Sequence, residues 1–186
     1  MKMQINRCAW AGNDPLYVAY HDTEWGKPIH DDRLLFKFLI LEGMQAGLSW
    51  ITILKKREAF RAAFENFEPE MVAVFDQARI EELMQNSAIV RNRRKIESAV
   101  KNARHFLEIQ KKFGSFDKFI WNYVDGEPIV NHPKTSADVP ATSELSDRIS
   151  RDLKKFGFSF VGSTIIYSFM QATGMVNDHI DDCDFK

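Results

Sequence analysis

The sequence predicts an all-α protein, a single domain over 1–186 made of two helical lobes that share a core, and three observations carry that prediction. Period-two alternation of apolar and polar residues, the mark of a half-buried strand, is nearly absent. Helix caps and helix stops recur along the chain. The connections between the segments they delimit are short. There is no internal repeat and no low-complexity tract.

Asp31 and Asp32 can cap a helix running to about Met44. Leu34, Leu35, Phe36, Phe38, Leu39, Ile40 and Leu41 make it apolar nearly all round, as a central buried helix would be. Ser49 can cap a second helix to about Glu65. Pro69 suits a first helical position, and Asp76 can cap a short helix to about Gln85. A long helix follows from about Arg91 to Phe113 and stops at Gly114. On it Ile96, Ala99, Val100, Ala103, Phe106 and Leu107 share one face, while Arg93, Lys101, Arg104 and Lys111 share another. Ser115 can start a short helix through Tyr123, and residues 125–141 read as a surface loop rich in turn formers. Helices from about Ser143 to Phe156 and from about Gly162 to Ala172 end at Gly157 and Gly174.

Hydrophobic residues make up 45% of the chain, enough to bury a sizeable core and to argue against disorder. A net charge of −1 gives no whole-chain support for nucleic-acid binding. Its distribution does leave room for a local positive face. Residues 87–112 concentrate Arg91, Arg93, Arg94, Lys95, Lys101, Arg104, Lys111 and Lys112. An ordinary solvated helix surface explains the same run. No apolar stretch reaches the roughly 18 residues a membrane span needs, and Met1 to Trp10 lacks the apolar core of a secretion signal. Two cysteines without such a signal point to a reducing compartment, the cytoplasm.

The metal-ligand candidates lie at the two ends. Cys8 and His21 are near the start, and His179 and Cys183, four apart, are near the end. Two thiolates and two imidazoles would complete a closed tetrahedral zinc site, structural rather than catalytic. Unrelated buried thiols, a disulfide, and a satisfied core histidine explain the same residues.

Residues 10–50 hold three of the four tryptophans (Trp10, Trp25, Trp50) and two of the four tyrosines (Tyr17, Tyr20), and among them stands Glu42. A carboxylate at the end of an apolar helix is costly unless it meets donors or a cation, and the helix dipole there disfavours it. Such a group suits a flat cationic ligand with a donor edge, since aromatic faces attract cations. The alternative is a bond from Glu42 to a backbone N–H or an arginine, with the aromatics as core.

Taken together, Arg7-Cys8-Ala9-Trp10, Asp14-Pro15-Leu16-Tyr17, Tyr20 through Gly26, the block LEGMQAGLSWITILKKRE at 41–58, Lys155 through Phe158, Phe160-Val161-Gly162, Tyr167 through Ala172 and Val176-Asn177-Asp178-His179 resemble the bacterial 3-methyladenine DNA glycosylase I family, a divergent branch of the helix-hairpin-helix glycosylases. The resemblance runs from about Cys8 to Cys183. It implies a helix-hairpin-helix glycosylase fold with the hairpin region at about 77–112 and structural zinc on Cys8, His21, His179 and Cys183. It implies Glu42 as the base-reading carboxylate, flanked by Tyr20 and Trp50, with Trp10 and Tyr17 completing the pocket. It places Gly47 and Leu48 at the gap left by an extruded nucleotide, and Arg91, Arg93, Arg94 and Lys95 near phosphates. The turn Asn86-Ser87-Ala88-Ile89-Val90 departs from the glycine-containing hairpin, and Asn86 offers a left-handed residue in their stead.

The implied activity is monofunctional hydrolysis of the N-glycosidic bond of N3-methyladenine in double-stranded DNA, by a monomer with no membrane contact. Two rival readings remain. A zinc-stapled DNA-binding module without catalysis has no use for Glu42 among aromatics, and a zinc hydrolase needs a ligand position open to water.

Overall fold

A computed structural model gives the fold, and the structure describes residues 5–186. The first four residues, part of the segment read as lacking a secretion signal, lie outside the described residues.

Helix α2 (Asp32–Gln45) runs through the centre. Its apolar residues allow no solvent face: Leu35, Phe36, Phe38, Leu39, Leu41 and Met44 are all buried. Each such side chain contributes roughly 1.5–3 kcal/mol relative to exposure. Around it pack α3 (Trp50–Ala63), α6 (Arg93–Phe113), α7 (Phe116–Trp121) and α9 (Ser163–Ala172). Helix α4 (Pro69–Ala73) lies against α6, as does α5 (Gln77–Gln85), and α8 (Glu144–Lys155) lies against α9. No helix is long and apolar enough to cross a membrane among the described residues.

The local signals act where they stand in the chain. Asp31 accepts a bond from Leu34 N, Asp76 from Arg79 N and Ser115 from Lys118 N, each satisfying a donor that a helix start leaves orphaned. Gly114 ends α6 in a left-handed conformation.

Three expectations are corrected. Helix α6 begins at Arg93 rather than about Arg91, because Asn92 takes the cap and its side chain accepts from Lys95 N. Helix α1 (Pro15–Thr23), capped by Asp14 with proline at its start, was not anticipated. The stretch 125–141 is more than a surface loop. Its β1 (Ile129–Val130) pairs in parallel with β2 (Val176–Asn177), Ile129 opposite Val176. That pairing brings the segment across the molecule.

The two ends of the described chain meet. Asn6 N donates to the Asp184 carboxylate (2.8 Å), and Asp184 N returns a bond to Asn6 O (3.1 Å).

Candidate active site

Helices α1, α2, α3 and α9 leave between them a cavity of about 310 Å³, closed on one side by the 125–141 segment and the C-terminal residues. Trp10, Tyr17, Tyr20, Trp25 and Trp50 line it, with Glu42 in the wall. Every residue expected in the pocket is therefore there. Trp10 and Tyr17 stand with ring centroids 5.1 Å apart, and Tyr20 and Trp50 5.5 Å apart.

Glu42 is 3% exposed, and its Oε2 has no hydrogen-bond partner among the described residues. Among the described residues no arginine or backbone N–H answers it, which speaks against the alternative of a satisfied core acid. Burial pushes its carboxyl up to about 8. The buried Nε1 of Trp50 is also unpartnered among the described residues. An orphan acceptor and an orphan donor in one aromatic cavity are costs that a ligand would relieve. Tyr20 is held well above its ordinary value, first by burial and then by Glu42, so its hydroxyl stays protonated.

The sequence reading missed Gln45, Ser136, Val139, Ser168, Gln171 and Asp178, which share the lining. Asp178 is buried and accepts from three side chains. Its Oδ1 accepts from Asn131 Nδ2, and its Oδ2 accepts from Tyr167 OH and Gln171 Nε2. A carboxylate engaged by three donors orients the polar wall of the pocket.

Beside the cavity, Cys8, His21 and Cys183 gather their ligand atoms within 4.8 Å of one another. Cys183 Sγ lies 3.6 Å from His21 Nε2, the spacing of two ligands on one tetrahedral ion. His179 stands next to this cluster rather than in it, its ring centroid 4.9 Å from that of His21. Its Nε2 is buried without a partner among the described residues, while Asn177 Oδ1 lies 2.9 Å from its Nδ1. Gly26, at φ +74°, lets that ring approach: a Cβ there would sit 3.0 Å from His179 Cε1. His21 Nδ1 meets Asp22 (2.7 Å), which Arg7 holds in turn. A carboxylate behind a histidine is the usual outer partner of a metal ligand. Both cysteines are free thiols. Burial and the facing Cys183 push the Cys8 thiol up to about 11. Burial and His21 bring His179 down to about 4. These groups could hold a divalent cation, and Arg7, Asp22 and Asn177 would orient them.

Past Glu42 the chain turns at Gly47, whose φ of +79° a side chain would strain, and presents Leu48 at 41% exposure. Across from it, residues 86–92 join α5 to α6. Asn86 turns this connection with its side chain, accepting from Ala88 N, and its own backbone is extended rather than left-handed. Arg91 and Arg94 are exposed. Arg93 is engaged with Glu81 at 2.6 Å and Glu97 at 3.8 Å. Lys95 departs from expectation. It is 6% exposed, and its Nζ donates to Met44 O (2.8 Å) and Ala46 O (2.6 Å), so it does not face a phosphate. Its place on the buried face with Ala99, Asn102 and Phe106 was readable from helical spacing.

A family model described as methyladenine glycosylase matches residues 10–186. The DNA-3-methyladenine glycosylase 1 of Escherichia coli (strain K12) is 48% identical over 179 residues, covering 96% of each chain. A crystal structure of a 3-methyladenine DNA glycosylase I superposes with a TM-score of 0.94 at 49% identity, over 96% of this chain and 98% of the other. A variant of a 3-methyladenine DNA glycosylase I, solved in complex with 3-methyladenine, superposes with a TM-score of 0.95 at 42% identity, over 98% of both chains.

Proposed function

We propose a function from the premise that this chain belongs to the methyladenine glycosylase family: it is a DNA-repair enzyme that hydrolyses the N-glycosidic bond of N3-methyladenine in alkylated DNA. One observation supports the assignment of the pocket above the others. Glu42 is a buried acceptor without a partner inside a cavity walled by aromatic rings.

N3-methylation makes the base a cation and a good leaving group. A base must leave the stack to reach a cavity of this depth. Tyr20, Trp50 and Trp10 offer ring faces to its positive charge, and Glu42 accepts from its amine edge. The C1′–N9 bond breaks with its electron pair moving to the base, which departs neutral. Water adds to the oxocarbenium-like sugar and gives up a proton, leaving an abasic site. Once neutral, the base loses most of its attraction to Glu42, which favours release. Neutral adenine lacks the charge that makes this pocket attractive. Among the described residues the lining holds no lysine to form a Schiff base, so borohydride should trap no protein–DNA adduct.

Zinc is the ion this donor set suits, with Cys8, His21 and Cys183 as ligands and the Nε2 of His179 as the fourth. Four protein ligands would close the coordination sphere, so the ion would supply structure and leave the chemistry to the pocket. Leu48, carried by the Gly47 turn, fills the gap left by the extruded nucleotide. The 86–92 hairpin, Arg91 and Arg94 hold phosphates. Arg93 contributes once DNA competes with its acidic partners. The protein acts as a monomer in the cytoplasm on double-stranded DNA.

The deciding experiment is chromatographic detection of free base from methylated duplex DNA, with the wild type beside Glu42→Ala. Wild-type release of 3-methyladenine, reduced at least about 100-fold in the variant, is expected for loss of a charged contact in a desolvated site. No release from a folded wild type would leave the DNA-binding module as the better account.

A further inference from the structure

Lys95 is a buried cation that the pocket chemistry does not use. It sits in the first turn of α6, directly after the hairpin, yet both of its bonds go to the far end of α2. Met44 O and Ala46 O are carbonyls that the end of α2 leaves without backbone partners, and a cation there also opposes the negative end of the helix dipole. A second lysine makes the reciprocal connection. Lys56, on the helix that follows the Gly47–Leu48 turn, donates to Ser87 O (3.2 Å) and Ala88 O (3.1 Å) in the hairpin. The turn and the hairpin are thus cross-tied, each by a lysine from beyond the other.

We propose that Lys95 is a positioning residue for nucleotide extrusion, tying the hairpin-bearing helix to the Gly47–Leu48 turn so that the grip on phosphate fixes where Leu48 enters the duplex. Four things support this. The bonds of Lys95 Nζ run from the first turn of α6, just after the hairpin, to the carbonyls that directly precede Gly47. Burying an ammonium is more than a helix end requires, since roughly a third to a half of helices end on a left-handed residue, usually glycine. Gly47 turns the chain at φ +79°, and Lys95 holds the Ala46 carbonyl immediately before that turn. The Leu48 side chain is exposed, and its backbone N–H reaches only as far as Gln45 O (2.6 Å), inside the same turn. The proposal rests on the reading of Leu48 as the residue that fills the gap.

The test is a double-mutant cycle on single-turnover excision of 3-methyladenine from methylated duplex, with free 3-methyladenine binding followed by tryptophan fluorescence. Lys95→Met should slow duplex excision roughly 10- to 100-fold, the scale of a misplaced reacting group. Free-base binding should stay within about twofold, because the cavity is untouched. The Lys95→Met, Leu48→Ala double variant should be no slower than the slower single variant. Losses that multiply in the double variant, or a Lys95→Met enzyme at the wild-type rate, overturn the proposal. Leu48→Ala at the wild-type rate also overturns it, by removing what Lys95 positions. A wild type that releases no base would instead sink the functional assignment. If Lys95→Met does not fold, Lys95→Gln, which keeps a neutral donor, takes its place in the same cycle.

Discussion

Glu42 concentrates the conflict between stability and function in one side chain. Burial pushes its carboxyl up to about 8, against an ordinary value of 4.5. Near neutral pH it is therefore mostly protonated, and a cationic base must displace that proton to gain the full charge attraction. Excision should fall as pH drops below about 8 and level off above it. Glu42→Gln should flatten that limb, which a pH–rate profile of kcat/KM would show. Stability runs the other way. A carboxyl whose folded value is raised contributes stability that is complete below the unfolded value and lost as pH rises from 4.5 through about 8. Glu42→Gln should thus stabilise the protein at pH 9 by on the order of a few kcal/mol and change little near pH 4.5. Thermal melts at both pH values would check this. The conflict was visible in the sequence, since an acid closing an apolar helix breaks the local pattern. Lys95 was not read as buried, because the basic run Arg91–Lys95 looks like a surface until helical spacing sorts its members.

At the scale of elements, side chains from one helix repeatedly finish another. Asp32, in the first turn of α2, accepts from Phe116 N (2.8 Å) and Asp117 N (2.7 Å) at the start of α7, and from Gln110 Nε2 (2.7 Å) of α6. One carboxylate thereby joins three helices. Asp32→Ala should cost roughly 2–3 kcal/mol, more than a single cap, because it orphans two backbone donors at once. Urea denaturation would measure it, and a loss under about 0.5 kcal/mol, the size of an ordinary surface change, would argue against the joint. This pattern explains what was legible. Asp31, Asp76, Ser115 and Ser143 cap helices within a few residues of themselves, so their positions could be read locally. Asp32 was readable only as a cap for its own helix, and its service to α7 depends on the fold. The β1–β2 pairing is likewise nonlocal and two residues long, too short for a period-two signal. That is why the sequence read this segment as a surface loop and did not show that Ser136, exposed as expected, and the half-buried Val139 also line the pocket.

At the scale of the molecule, the cluster of Cys8, His21 and Cys183 joins the two ends of the described chain beside the pocket. Removal of the proposed zinc should therefore act on the whole fold. Stripping by a strong chelator should lower Tm by roughly 10 °C, and activity should decline with folded fraction. A chelated protein that melts at the native temperature but no longer excises would contradict a structural ion. Cys8→Ala and Cys183→Ala should each reproduce the loss, and their combination should add little, because the site acts as a unit.

The pocket wall draws on Cys8 and Trp10 at one end of the sequence and on Asp178 and Ile180 at the other. This gives catalysis a place in time. At synthesis rates of about 5–20 residues per second, the first wall waits roughly 10–30 seconds for the last. Glu42, the most expensive residue of the site, emerges early together with its aromatic neighbours, and the wall around them stays incomplete until the closing segment with Gln171, Asp178 and Ile180 arrives. An unfinished chain therefore cannot hold a damaged base, and the capacity to cut a glycosidic bond arises only with the final turns of the fold.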